Sequence, residues 1–184
     1  MRNFMAIIVA QLAMMSLYAQ TGGHSFLPVD EGSTIGFKIK NFGISSEGSF
    51  KGLQGMIVFD PQNVAADSFD VSIDAASVNT DNNMRDDHLR KEAYFDVEKY
   101  PRIRLVSSAV AVVDRNGHYR LTGKLTIKGT TKEISFPFLA APAGEDYIFK
   151  GGFSIKRRDF DVGGASTLSN DLTVSLTVLA RAVR

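Results

Sequence analysis

Residues 118–138 read HYRLTGKLTIKGTTKEISFPF, and this stretch decides the fold. Tyr119, Leu121, Leu125 and Ile127 alternate with Arg120, Thr122, Lys124 and Lys128. A turn at Gly129-Thr130 follows, and Ile134, Phe136 and Phe138 resume the alternation. Side chains that switch faces at every residue define a strand with one covered face. Two such runs joined by a short glycine turn predict an antiparallel hairpin.

The same pattern extends in both directions. Upstream, Ile35, Phe37 and Ile39 oppose Lys38 and Lys40, and Leu53, Ile57 and Phe59 lead to an Asp60-Pro61 turn. Phe69, Val71, Ile73 and Ala75 oppose Asp70, Ser72 and Asp74, and Ile103 and Leu105 oppose Arg102 and Arg104 in a run that continues to Val113. Asn116-Gly117 is a strong hairpin signal. Downstream, a turn near Pro142–Gly144 leads to Tyr147, Phe149, Phe153 and Ile155, and the last strand carries Leu172, Val174, Leu176 and Val178. About eight main strands result. Short turns from residue 102 to 155 favour up-and-down order, closed as a barrel or stacked as a sandwich. Closure would remove the exposed edges.

One segment breaks the β pattern. TDNNMRDDHLRKEAYF, residues 80–95, gathers helix formers behind Thr80, Asp81 and Asn82 as caps and predicts a short helix near 83–92 across a barrel end or side. Phe95 and Tyr100 are expected to tuck under it.

Residue 2 is the only charged side chain before Asp30, and residues 4–17, FMAIIVAQLAMMSL, form an apolar run. A positive start and a short apolar run describe a secretory signal peptide, too short for the roughly 20 residues of a membrane span. Cleavage after Ala19 is expected, leaving residues 20–184 as one domain. His24 then falls in a flexible N-terminus. With Arg2 removed, basic and acidic residues balance at twenty each. A nucleic-acid role, which needs a basic surplus, is disfavoured. No later segment approaches 18 apolar residues, so no helix is expected to span a membrane. The expected location is the periplasm or the outside of the cell.

The chain has no cysteine, which excludes disulfides, thiolate metal sites and a cysteine nucleophile. The histidines are His24, His88 and His118. His88 and Glu92 share a helix face, yet one pair supplies two ligands where zinc needs three or four, so a solvated face is the simpler account. No nucleophile elbow, phosphate loop or dinucleotide fingerprint is present. No catalytic residue, metal or cofactor is therefore expected. Arg85 with Asp86 or Asp87 is expected to form local ion pairs. Arg157-Arg158-Asp159-Phe160 follows a strand, and two guanidiniums near a barrel mouth suit a phosphate or carboxylate, although Asp159 can neutralise them.

Four ordered blocks resemble the YceI-like family, the polyisoprenoid-binding periplasmic proteins, from about residue 27 to the C-terminus. Residues 85–108, RDDHLRKEAYFDVEKYPRIRLVSS, carry the most specific likeness. GKLTIKGTTKEISFPF (123–138), FSIKRRDFDVGG (153–164) and GSFKGLQGMIVFDP (48–61) are similar to three further family blocks. The chain departs from the pattern at Gly32 and Asn41, where the family often has histidine, and at Asp161, where it has glycine. The resemblance implies an all-β fold with one short helix, an extended antiparallel eight-stranded lipocalin-like β-barrel. It also implies a hydrophobic tunnel holding a polyisoprenoid or fatty-acyl lipid non-covalently, for transport or storage. It implies no catalytic residues.

An eight-stranded barrel is either filled by its own side chains or left holding one ligand. On the carrier reading the expected wall is Phe37, Ile39, Phe59, Ile73, Phe136, Phe138, Phe153 and Ile155, with Arg157 or Arg158 meeting a polar head group. Self-association as a homodimer is compatible with this reading. Two alternatives stand beside it: an enzyme acting on a lipid through His88 and Asp86, and a small outer-membrane barrel, in which apolar residues would face outward.

Overall fold

A computed structural model of the chain describes residues 24–184; the expected signal segment, residues 1–19, lies outside the described residues. The strands are β1 (His24–Asn41), β2 (Ile44–Phe50), β3 (Gln54–Phe59), β4 (Ser68–Asp74), β5 (Arg102–Val112), β6 (His118–Ile127), β7 (Thr130–Ala143), β8 (Asp146–Lys156) and β9 (Leu168–Ala182), and the helix α1 is Asn83–Arg90.

Every pairing is antiparallel, β3 through β9 are neighbours in chain order, and β1 closes the sheet against β9. β1 also pairs with β2 near its end and with β3 near its start. β2 and β3 therefore act as one bent stave, and the barrel has eight. The break between them is pinned: both Asp30 carboxylate oxygens accept, from the Gly52 and Leu53 amides, at 2.9 Å each.

β1 begins much earlier than the alternation suggests. His24 opposes Phe59 and is the first residue of the strand rather than part of a flexible terminus. Pro28, Asp30, Glu31 and Gly32 disguise this half, and the β1–β9 register shifts between Val29 and Thr34. Ser33 Oγ spans the irregularity, donating to the Val29 carbonyl at 2.5 Å and accepting from the Leu179 amide at 2.8 Å.

Inward positions are apolar, while outward positions carry groups such as Asp70, Arg104, Arg120, Lys124 and Lys150. This is the reverse of a barrel facing lipid. Toward the end where β3 finishes, the interior is solid. Phe59 meets Tyr119, Tyr147 and Phe149 edge-on at 5.2, 5.1 and 5.3 Å, and Phe69 meets Phe138 and Phe149 at 5.5 and 5.4 Å. Edge-to-face geometry is the favoured aromatic arrangement.

At the opposite end the wall beside β2 is completed by a strap, residues 75–101, not by a strand. Asn79 and Ser49 exchange backbone hydrogen bonds at 2.8 and 3.0 Å. Asn82 caps α1 by accepting from the Arg85 amide, as its position in sequence predicts.

Candidate functional site: an apolar cavity in one half of the barrel

A partly open cavity of about 180 Å³ lies above the aromatic floor. Phe69, Phe138 and Phe149 form its base, and Ile73, Ile103, Leu125, Ile127, Ile155, Val174 and Leu176 form its sides. Ile35, Phe37, Phe95 and Phe160 surround its outer part. Phe95, itself part of the strap, faces the cavity and packs edge-on against Phe50 at 5.4 Å, while the Tyr100 ring lies over Gly129 at the β6–β7 turn.

Among the expected wall residues, Phe37, Ile73, Phe136, Phe138, Phe153 and Ile155 line this cavity, and so does Arg157. Ile39, Phe59 and Arg158 do not. Ile39 is buried but lies one inward step beyond Phe37, toward the β1–β2 turn. Phe59 is 1 % exposed and sits inside the aromatic floor. Arg158 is exposed and gives only its backbone amide, to Asn170 Oδ1 at 3.0 Å.

Arg157 has a structural task that its sequence position does not reveal. It is 3 % exposed, and among the described residues no carboxylate lies within ion-pair reach. Its Nε donates to the Ser169 carbonyl at 2.9 Å, Nη1 to those of Val162 and Gly164 at 2.7 and 3.0 Å, and Nη2 to that of Leu168 at 2.9 Å. Burial, reinforced by Arg158, pulls its affinity for the proton below the ordinary arginine value, and Tyr94 opposes this. A guanidinium still holds its charge in a protein, so four carbonyl dipoles offset the desolvation instead of a counter-ion. The clamp shapes residues 162–169 into a rim. Gly163 is required there: its φ is +73°, and a Cβ would come within 2.8 Å of the Tyr94 ring.

The charged block in the strap is likewise a fastening. Arg85 does not pair with Asp86 or Asp87; it donates to Thr80, through Nε to Oγ1 at 2.7 Å and through Nη2 to the carbonyl at 2.6 Å. Asp86, buried, accepts from the Thr80 amide at 2.9 Å and hydroxyl at 2.5 Å. Arg90 reaches the Ala76 and Val78 carbonyls and pairs with Asp87. Neither Asp86 nor His88 lines the cavity; His88 is exposed and packs edge-on against Tyr94 at 4.9 Å.

Several wall residues carry no periodic signal. Phe160 belongs to the 3-10 turn Arg157–Phe160, and Val162 follows it. Asp161 ends that turn with φ +56°, a left-handed conformation that glycine adopts most easily. This accounts for glycine at that place in the family pattern; here Lys128 Nζ ties the Asp161 carbonyl down at 2.9 Å.

A closed antiparallel barrel of eight staves with an apolar cavity in one half defines a lipocalin-like binding fold. The pattern of the YceI-like domain matches residues 28–180, and the chain belongs to the YceI-like family. A UPF0312 protein of Photorhabdus laumondii is 35% identical over 152 residues, spanning 77% of this chain and 78% of that one. The crystal structure of BcnA from Burkholderia cenocepacia superposes with a TM-score of 0.75 at 32% identity, covering 80% of this chain and 95% of that one. A polyisoprenoid binding domain from Saccharophagus degradans, implicated in plant cell wall breakdown, shares the fold at a TM-score of 0.70 and 14% identity, covering 87% of this chain and 99% of that one.

Proposed function

We propose that this protein holds a polyisoprenoid or fatty-acyl chain non-covalently, end-first, in the hollow half of its barrel. The observation that carries the reading is the cavity itself: about 180 Å³ of space walled by hydrocarbon side chains and floored by aromatic rings. An apolar cavity of roughly 150 Å³ stays dry and takes up benzene. By that comparison this one accepts about seven carbons. At about 0.8 kcal/mol per buried methylene, they contribute about 6 kcal/mol before association costs. Micromolar affinity needs about 8 kcal/mol. The bound chain is therefore longer than the cavity as it stands, and its remainder passes between Phe37, Phe95 and Ile155, where it covers further apolar surface. The related fold named for polyisoprenoid binding supports the same ligand chemistry.

Arg157 contributes here by holding the rim, since its donors are committed to carbonyls. The role is binding without bond making, and it serves transport or storage of a chain that water does not dissolve. The signal-like segment at residues 1–19 supports export to the periplasm or beyond, which osmotic-shock fractionation tests. For the ligand, native mass spectrometry of protein purified without detergent should show a lipid adduct that solvent extraction removes. Protein free of lipid that also takes up no added prenyl or fatty-acyl chain contradicts the reading.

A further inference from the structure

The β1–β2 turn is built against its own conformational preference. Asn41 opposes Ile44 across a two-residue turn, and Phe42 and Gly43 have φ values of +49° and +82°. Two consecutive left-handed residues make the tight hairpin turn that favours Asn or Asp before Gly. A phenylalanine at the first position is disfavoured, because its Cβ crowds the backbone. Burial of these side chains does not compensate: Phe42 is 79% exposed and Ile44 is 73% exposed. Met84, on α1, is 83% exposed. Among the described residues these are the three most exposed large apolar side chains; Phe42 and Ile44 sit at the β1–β2 turn of the hollow half, and Met84 lies on α1 of the strap.

The surroundings suit one kind of surface. Residues 32–46 contain no carboxylate, and neither do residues 162–170, the rim segment tied to the hairpin by the hydrogen bond from Thr167 Oγ1 to Asn41 Oδ1. Of the acidic groups beside the hairpin, Glu47 is paired with Lys38 at 2.8 Å, and Asp171 on β9 lies between Lys156 and the Lys40 end of β1. Lys40, beside the tip, makes no ion pair among the described residues. Bare apolar side chains at a tip whose neighbouring acids are each matched by lysine suit a bilayer, with an apolar interior beneath phosphate.

We propose that the Phe42–Ile44 hairpin tip inserts into a lipid bilayer and sets the cavity mouth against the membrane from which an apolar chain is loaded or to which it is delivered. This rests on the reading of the cavity as a site for such a chain.

The test is flotation of the full chain with phosphatidylcholine vesicles, with and without phosphatidylglycerol, at low and high salt. The variant Phe42→Asn, Ile44→Thr suits both turn and strand, so it should fold at least as well; its urea midpoint checks this. Wild type should float on both vesicle types and remain bound at high salt, because insertion is apolar. The variant should bind at least about tenfold more weakly, yet take up a dispersed prenyl alcohol in solution as wild type does. Wild type that fails to float, or a variant that floats equally well, overturns the proposal. Self-association of wild type that the variant loses, without flotation, also overturns it and assigns the patch to a second copy. Flotation without uptake of any chain leaves the docking surface standing and removes the cavity reading instead.

Discussion

At one end of the barrel Phe26, Phe59, Tyr119, Tyr147 and Phe149 interlock at centroid distances of 5.1 to 5.3 Å; at the other, Ile73, Ile103, Leu125, Ile155 and Val174 leave about 180 Å³ open. Both halves come from the same alternation on the same strands. The difference is reach. Aromatic side chains from several staves meet at the axis and fill it, each burying roughly 150–250 Å². Aliphatic side chains stop short. Around the hollow half the wall is finished by parts outside the strands: the strap, Phe95 and the rim clamped by Arg157. Stability is thus concentrated in the solid half and capacity in the hollow half.

That division can be broken from either side. Phe59→Ala empties the centre of the floor and should cost the most, about 3–5 kcal/mol, read as a lowered urea midpoint. Arg157→Met strands four carbonyls at the rim and should cost about 3 kcal/mol. The rim should then loosen, seen as faster amide exchange through residues 162–169 while β6 and β7 stay protected.

Asp67 sharpens the comparison, because it is buried close to the solid end with one carboxylate oxygen unpartnered. Burial chiefly pushes its pKa up to about 6; the Asp60 amide, donating at 2.7 Å, lowers it and the Asp60 charge raises it. The folded state thus binds this proton more tightly than the unfolded chain. Its stabilising contribution is complete below pH 4 and is lost as pH rises through about 6. Asp67→Asn should remove that decline and raise stability at pH 8 by on the order of 1–2 kcal/mol, measured by urea unfolding across pH. Ile73→Val, in the hollow wall, should cost least, under about 1 kcal/mol, since its neighbours already border open space.

The legibility of the chain follows the same line. The β6–β7 hairpin is plain in sequence because face alternation is a local property. The first half of β1 is not, because Pro28, Asp30 and Gly32 imitate a loop while long-range pairing with β9 makes them a strand. Alternation also reports which face a residue occupies, not its height along the barrel axis. Phe37 and Ile39, or Phe138 and Phe59, are therefore indistinguishable in sequence, and only their depth separates cavity wall from rim or floor. Phe160 and Val162 escaped because a 3-10 turn has no strand period. Arg157 read as a partner for an anion or for Asp159 because nothing local announces the four carbonyls that fold back onto it.

The most direct test of the central claim fills the hollow half and leaves the solid half untouched. Val174→Phe places a ring in the open space, and titration of lipid-free protein with a prenyl alcohol, followed by calorimetry, compares it with wild type. One-to-one binding by wild type, lost in the variant at an unchanged urea midpoint, is the predicted result. Equal binding by both proteins would place the chain elsewhere on the molecule and contradict the account.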